Sequence, residues 1–250
     1  MHDMKNKQVM DRSQEDIDIS TYEYEGAESG LIEDLTKLSP EDKQQLLMAG
    51  VDVSGKERSG TYVHMNHSNV HCASCQSGGV EVLDITQALD KYDGLPEYYW
   101  KAVDPDKDKY TRAVREKLHG GYFIRTEKGA KVTDPVQSCL FIKGDKVGQN
   151  VHNIIVVEED SELHIITGCA VSHDVKAALH MGISEIYVKK GGKLSFTMVH
   201  NWGEDVHVRP RSVGIVEEDG VFLNNYILLK PVRSAQLYPT LHLNGKGAVA

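Results

Sequence analysis

Polar and apolar positions repeat one pattern along the second half of this chain: a short β-type run, a polar turn and another β-type run. Three stretches carry it most clearly, reading IIVVEEDSELHII, IYVKKGGKLSFTMV and VGIVEEDGVFL. Their turns centre near Glu159, Gly191 and Glu218, with an earlier turn near Lys128 and a later one near Gly245. Self-similarity at a period of about 27 to 32 residues indicates stacked supersecondary units. Because the repeating unit holds no long helix, the pattern predicts a β-solenoid.

The front of the chain follows a different pattern. Residues 1–30 are acidic and poor in bulky apolar groups, which predicts a mobile tail without a fold of its own. Residues 31–118 are predicted to be α-rich. Ser39 and Pro40 suit the start of a helix that ends at Gly50. Helical spacing returns in ITQALDKY, LPEYYWKAV and DKDKYTRAVREKL, whereas VEVLDI reads as a strand.

From residue 119 the apolar period changes to two, so residues 119–250 are predicted to form the β-helix core. One helical insert, Val175–Gly182, is predicted to separate two repeats. The last residues, LHLNGKGAVA, follow the turn of a further repeat with no cap after it. An uncapped last coil exposes strand edges. We therefore expect that the β-helix is incomplete at this end, because the chain is a fragment or because another subunit covers it.

Charge and composition exclude several classes of function for this chain. The formal net charge of -9 and the lack of a basic stripe argue against nucleic-acid binding. No apolar run approaches the ~18 residues of a membrane helix, and the N-terminus has no apolar signal core, so we expect a cytoplasmic protein without a membrane partner. The four cysteines, Cys72, Cys75, Cys139 and Cys169, are too few for a disulfide framework.

Metal-competent side chains concentrate in one segment of the front. His64, His67, His71, Cys72 and Cys75 lie close together in sequence. The spacing Cys72-x-x-Cys75 lets two thiolates bind one metal, and His67 with His71 would complete a zinc tetrahedron or ligate iron. A plain polar connector without metal remains an alternative. Thiol redox or sulfur relay is disfavoured, because no thioredoxin-like βαβ unit surrounds the pair.

A second candidate site ends a β-type run. His200, Asn201 and Trp202 would line a channel or a partner surface. We favour a structural role for these residues. In that role the Asn201 side chain hydrogen-bonds the backbone of a turn, and Trp202 caps the apolar interior of the solenoid. Cys139 and Cys169 lie in β-type runs and read as packed thiols.

The acidic turns at 158–160 and 217–219 raise the possibility of a carbohydrate-active enzyme, because glycoside hydrolysis uses paired carboxylates. Neighbouring acids at a turn tip are more simply a solvated turn. A sugar groove also needs exposed aromatic side chains, and only 7% of residues are aromatic. We therefore rank this class below the others.

Several segments together resemble the SufB/SufD proteins of the SUF iron–sulfur cluster assembly machinery. The resemblance covers about residues 58–250 and is closest to a compact archaeal form. Its motifs are GVEVLDITQAL, GGYFI with Lys128-Gly129 and Pro135, the strand–turn Ile154 to Ser161, Leu179-His180, and Met198 to Trp202. The order and spacing of these motifs together are specific.

The resemblance implies a right-handed parallel β-helix that serves as a scaffold for a transient iron–sulfur cluster. It implies a SufC-type ABC ATPase and a SufB/SufD-like dimer partner, with no enzymatic activity in this chain. The family's later coils and ATPase-docking helices would follow Ala250, so we expect residues 1–250 not to retain the ATPase. Gly214 stands near the family's sulfur-accepting cysteine. The alternative function is a zinc-stabilised β-solenoid that acts as a binding and dimerisation module.

Overall fold

The computed structural model describes residues 16–26, 29–74, 79–93, 95 and 97–250. Within them, no helix is long and apolar enough to cross a membrane. The helices are α1 (Pro40–Met48), α2 (Ile85–Lys91) and α3 (Lys109–Glu116). The strands are β1 (Gly60–Met65), β2 (Ser68–Ser74), β3 (Val80–Asp84), β4 (Tyr122–Thr126), β5 (Val136–Ile142), β6 (Val147–Val157), β7 (Glu162–Val171), β8 (Ala178–Val188), β9 (Lys193–Asn201), β10 (Val206–Val208), β11 (Arg211–Val216), β12 (Val221–Leu228), β13 (Ser234–Ala235) and β14 (Tyr238–Leu243).

Two stacked sheets of parallel strands form the body of the molecule. One sheet runs β12-β9-β7-β5-β1-β2, and the other runs β13-β10-β8-β6-β4-β3, with β11 between β8 and β14. Strands from successive repeats lie side by side in parallel, as in the pairs β5 with β7, β7 with β9 and β9 with β12. This arrangement confirms the predicted β-solenoid. The period of the sequence predicts this fold, because each repeat supplies one strand to each of the two sheets.

Apolar side chains stack in register through the interior. Val136 lies beside Ile165, and Ile165 lies beside Phe196, so one column crosses three coils. Leu163 and Leu194 form a second column. All five are almost fully buried in one core cluster. Each such side chain contributes about 1.5–3 kcal/mol of hydrophobic stabilisation, which makes the columns the main source of coil-to-coil cohesion.

The front of the chain is joined to the solenoid rather than set apart from it. β1 pairs with β5 in parallel, and β3 pairs with β4 in antiparallel, so the front extends both sheets. The three helices pack on the outside, α1 against β7 and both α2 and α3 against β6. The predicted start of α1 is confirmed, because the Ser39 hydroxyl accepts from the Asp42 N–H at 3.1 Å. The domain boundaries themselves stay a prediction.

Two predicted helical segments are not helical. In the segment LPEYYWKAV, residues 97–101 form turns, because a glutamate on β8 takes up N–H groups that a helix would use. The predicted insert Val175–Gly182 runs instead into β8, whose residues are all buried. β8 pairs with β6 over its whole length, and this pairing outweighs the helical propensity of the Ala-Ala-Leu run.

Residues 16–26, predicted to be part of a mobile tail, lie against the solenoid. The Glu23 N–H donates to the Lys146 carbonyl at 2.8 Å, and the Gly148 N–H donates to the Glu23 carbonyl at 2.9 Å. The Tyr24 ring covers Gly148, where an added Cβ would lie 2.3 Å from the ring. A glycine at 148 is thus what allows this segment to dock. Residues 1–15 lie outside the described residues.

Candidate functional site

The predicted metal-ligand segment forms the hairpin of β1 and β2. His71 and Cys72 are neighbours on β2, and neighbouring side chains of a strand point to opposite faces. His71 Nδ1 accordingly donates outward to the Ile32 carbonyl at 2.7 Å. The Cys72 thiol donates to the Val82 carbonyl at 3.4 Å and packs against the interior core. These two predicted ligands therefore cannot bind one metal from their present positions.

His67 stands at the hairpin turn, and its Nε2 donates to the Glu23 carbonyl at 3.1 Å. Burial raises the pKa of Cys72 to about 12, which favours the neutral thiol over the thiolate that metals bind. Cys75 lies outside the described residues. In the part of the chain that the structure describes, no three His, Cys, Asp or Glu side chains are grouped to hold a metal ion. The Cys72–Cys75 site remains a prediction.

A row of buried polar side chains, largely missed from the sequence, runs through the interior instead. It begins at His64 on β1, whose Nε2 donates to the Asn66 carbonyl at 3.2 Å. Gln149 Nε2 on β6 donates to the same carbonyl at 3.1 Å. Gln149 Oε1 then accepts from His180 Nδ1 on β8 at 3.0 Å. Because Nδ1 of His180 carries the proton, its Nε2 holds the free lone pair.

The row continues through aromatic contacts to the last coil. The His180 ring lies 5.2 Å from the Trp202 ring, and the His200 ring lies 5.6 Å from it on centroids. His200 Nδ1 is hydrogen-bonded to the Tyr226 hydroxyl at 2.5 Å. Of the predicted site at the end of β9, His200 and Trp202 thus belong to this row. Asn201 points the other way, and its Nδ2 donates to Gln45 Oε1 of α1 at 2.9 Å.

Burial keeps these imidazoles neutral. It lowers the pKa of His64 to about 3, that of His180 to about 4 and that of His200 to about 3. A neutral imidazole is the form that binds transition metals.

The sequence holds one signal for this row of buried polar side chains. Residues that stack in this solenoid are about one period apart, and Gln149 and His180 are separated by that period. That spacing was the signal by which the row could have been found.

Unpaired polar atoms mark the end of the row. His200 Nε2, Trp202 Nε1 and Asn201 Oδ1 are buried, and none has a hydrogen-bond partner among the described residues. Buried polar atoms without a partner are uncommon and call for a physical explanation. Cys169 on β7 is the register neighbour of His200, and burial raises the pKa of this thiol well above its usual range. A thiol and an imidazole with an unpaired nitrogen therefore stand side by side in a closed interior.

A second buried polar cluster lies under the loop before α3. His152 Nε2 donates to the Glu185 carboxylate at 2.7 Å, and both side chains are fully buried. The same carboxylate accepts the N–H groups of Trp100, Ala102 and Val103 at 2.5–3.0 Å. Burial lowers the pKa of His152, although Glu185 acts to raise it. The Tyr187 hydroxyl on β8 donates to this carboxylate at 3.5 Å, and its other partners lie on the loop or on β6, so this cluster holds the loop to the sheet.

Known proteins share both the core and the front of this chain. A family model described as SUF system FeS cluster assembly, SufBD core domain, matches residues 140–250. An iron–sulfur cluster assembly SufBD family protein of Methanothermobacter thermautotrophicus (strain Delta H) is 47% identical over 241 residues, which cover 94% of this chain and 58% of the relative. A SufBD family protein of Archaeoglobus fulgidus is 46% identical over 81% of this chain and 54% of its own length.

Similarity extends to a bacterial protein. The iron–sulfur cluster assembly protein SufB of Bacillus subtilis is 28% identical over 215 residues, or 85% of this chain and 44% of that protein. The chain thus spans about half the length of the curated relatives it matches. The 47% sequence identity to the Methanothermobacter protein over 94% of this chain, together with the match to the SufBD core model, identifies the family. The chain belongs to the SufBD family of iron–sulfur cluster assembly proteins.

Proposed function

We propose that this chain is a non-enzymatic scaffold component of iron–sulfur cluster assembly. A SufC-type ABC ATPase would be the partner that supplies energy, and a SufB/SufD-like subunit would complete a dimer. Iron and sulfide are the cargo of such a scaffold rather than resident cofactors. The assembly would take place in the cytoplasm. Family membership supports the assembly role, and the finer statements about partners and location rest on the resemblance to SufB and SufD.

One observation carries the proposal to particular residues: His200, whose Nε2 has no partner among the described residues, is the register neighbour of Cys169. Iron–sulfur clusters are held in proteins by thiolate and imidazole ligands on their iron atoms. The interior of the solenoid offers both types next to each other and away from solvent. His180 adds a second neutral imidazole in the same row. We propose that the chain binds iron and sulfide at this end of the row rather than on its outer surface.

The Cys72–Cys75 segment remains a second proposed ligand site, for iron–sulfur or for zinc. Cys72 faces the same interior as Cys169, but its thiol is bonded to the Val82 carbonyl. Binding a metal there requires that bond to break and the thiol to lose its proton. At the interior row the Cys169 thiol must also lose its proton, against a pKa that burial raises, but His200 Nε2 has no described partner to give up.

Iron, zinc and acid-labile sulfide measured on anaerobically purified protein test the proposal. We compare the chain with His200→Gln, and with Cys72→Ser/Cys75→Ser as the matched variant of the other site. Iron with an equal amount of sulfide, lost in His200→Gln and kept in the double variant, is the expected result. Circular dichroism and thermal melts establish that each variant is folded. Zinc alone, lost only in the double variant, would refute the interior site and make the front a structural zinc site.

The proposed ATPase partner is tested by co-purification. The chain is mixed with a SufC-type ATPase and nucleotide, and retention is measured with and without ATP. We expect no retention by residues 1–250, and retention that depends on this chain would overturn that expectation. Retention of the ATPase by a relative of full length, but not by this chain, would assign docking to segments outside residues 1–250.

A further inference from the structure

The first part of β6 has an edge that no strand of the sheet covers. On one side β8 pairs with β6 along its whole length, whereas on the other side β4 pairs only with residues 154–156. Helix α3 packs beside this edge and contacts both β6 and β8. The uncovered edge at residues 146–148 and the flank of α3 together form a groove, which we call the α3–β6 groove.

The chain's own residues 16–26 occupy this groove as an added strand. Glu23 pairs in parallel with Val147 through its N–H and its carbonyl. Two histidines also hold the segment: His67 Nε2 donates to the Glu23 carbonyl, and His119 Nε2 donates to the carbonyl of the next residue, each at 3.1 Å. Main-chain hydrogen bonds of this kind are how a sheet edge binds an extended peptide. The contacts of residues 16–26 are therefore those of a bound peptide.

Two apolar anchors make the groove selective. Ile17 is buried in one cluster with Tyr110 and Val114 of α3. The Tyr24 ring lies over Gly148, and a Cβ added at that glycine would lie 2.3 Å from the ring. Glycine at position 148 thus leaves a seat for one aromatic ring. An occupant needs an aliphatic side chain and an aromatic ring at the spacing of these two anchors.

Charge fixes the direction of the occupant. Asp16 forms an ion pair with Lys109 at the start of α3, and Glu25 Oε1 lies 2.6 Å from Lys117 Nζ just beyond its end. Residues 16–26 contain acidic residues and no lysine or arginine. Complementary charges set the choice and register of a partner more than its affinity. The groove therefore prefers an acidic segment that runs along α3 from its start to its end.

The segment is held weakly enough to exchange. Ile17 is the one buried residue of residues 16–26. Exposed ion pairs contribute little to stability, and elements with few buried contacts open locally at a low cost in free energy. The groove persists without the segment, because Asn150 Nδ2 on β6 donates to the carbonyls of Ala113 and Lys117 at 3.2 and 2.9 Å. These bonds keep α3 on β6 when residues 16–26 leave.

We propose that the α3–β6 groove is an exchangeable peptide site, and that residues 16–26 of a second copy of this chain occupy it when the chain's own segment leaves. The seated segment identifies the occupant, because a second copy brings the same anchors and the same charges. Exchange of an identical element between copies is a low-cost route to a dimer, since every contact is made again. This exchange requires no metal, cargo or ATPase, so it stands apart from the proposed function.

Two variants of the full chain separate the donor of the segment from its acceptor. Gly148→Ala closes the seat of Tyr24, so its segment should be free and its groove blocked. Tyr24→Ala removes the anchor, so its groove should be open while Gly148 is kept. We expect each variant alone to sediment like the parent chain, and an equimolar mixture to form a heavier complex that contains both. The double variant Gly148→Ala/Tyr24→Ala, used in place of the donor, is the matched control and should form none.

A labelled synthetic peptide of residues 16–26 measures the groove without the donor chain. By fluorescence anisotropy we expect the Tyr24→Ala chain to bind this peptide about tenfold more tightly than the parent chain, whose own segment competes at a high effective concentration. A Glu25→Lys peptide should bind the Tyr24→Ala chain more weakly, and Lys117→Glu in that chain should restore the binding. Circular dichroism checks that each variant is folded.

Absence of peptide binding to the folded Tyr24→Ala chain would overturn the proposal. Binding that Gly148→Ala in the acceptor does not block, or that ignores the charge reversals at Glu25 and Lys117, would overturn it as well, because another surface would then hold the peptide. Peptide binding without a complex of the two variants would show that the groove takes this sequence but that copies of the chain do not exchange it. That result would refute the second copy as the occupant.

Discussion

Replacing Glu185 should release the loop before α3 while leaving the solenoid assembled. The Glu185 carboxylate is fully buried and accepts five hydrogen bonds: three from loop N–H groups, one from His152 and a long one from the Tyr187 hydroxyl. Glu185→Ala removes all five acceptor contacts. Glu185→Gln keeps one carbonyl oxygen, which still accepts from Ala102 and Val103. Its new NH₂ group then faces the Trp100 N–H, which loses its acceptor.

The magnitudes follow from the groups left unpaired. A buried N–H without a partner costs about 1–3 kcal/mol, and a hydrogen bond to a charged group contributes about 1.5–3 kcal/mol. We therefore expect Glu185→Ala to lower the free energy of unfolding by about 4 kcal/mol. Glu185→Gln should lower it by about 2 kcal/mol, because one N–H and the His152 contact are affected. Against a typical stability of about 5–15 kcal/mol, both changes are measurable.

The assay is chemical denaturation followed by tryptophan fluorescence. The chain has two tryptophans, and Trp100 lies on the loop while Trp202 lies in the solenoid interior. In a Trp202→Phe background, Trp100 emission should shift to the red in native Glu185→Ala, because the loop detaches before global unfolding. Glu204→Gln, an exposed glutamate on another loop, is the control and should change stability by less than about 0.5 kcal/mol. Equal stability of Glu185→Gln and the parent chain would refute the reasoning.

Three further predictions use different measurements. Acidification from pH 7 to 5 should reduce the free energy of unfolding. Buried imidazoles stay neutral in the folded state, since burial lowers the pKa of His180, for example, to about 4, but they gain protons near pH 6.5 in the unfolded chain. His180→Gln should make that slope shallower by about 1.4 kcal/mol per pH unit between these two pKa values. Gly148→Ala should push out Tyr24, so that limited proteolysis cuts residues 16–26 faster while the core resists. Cys72 should react with iodoacetamide at pH 8 far more slowly than a free cysteine, by peptide mass spectrometry, because its pKa is raised to about 12.

A specific result would contradict each of these three predictions. A slope that His180→Gln leaves unchanged would mean that this imidazole already titrates as a solvent-exposed group. Unaltered proteolysis of Gly148→Ala would show that Tyr24 does not hold residues 16–26 in place. Rapid alkylation of Cys72 in the folded chain would show an accessible thiolate and would strengthen the metal-site prediction for the Cys72–Cys75 segment.

The sequence determined the solenoid, because its causes are local and repeated. Polar turns at a steady period fix where each strand ends, and apolar alternation fixes which face is buried. The start of α1 at Ser39 and the helices α2 and α3 were also predictable, since caps and helical spacing act within a few residues. The family resemblance rested on the same ordered segments and is confirmed by relatives that match nearly the whole chain.

Only the tertiary structure decided which side chains meet. His71 and Cys72 are adjacent in sequence and end on opposite faces, because β2 pairs with β1 and leaves no freedom to turn them together. Segment LPEYYWKAV lost its helix to a carboxylate more than eighty residues away. His180 lies beside Gln149, and His200 lies beside Cys169, because parallel pairing stacks successive coils. Burial and pairing across coils are long-range effects, and spacing within one segment of sequence does not contain them.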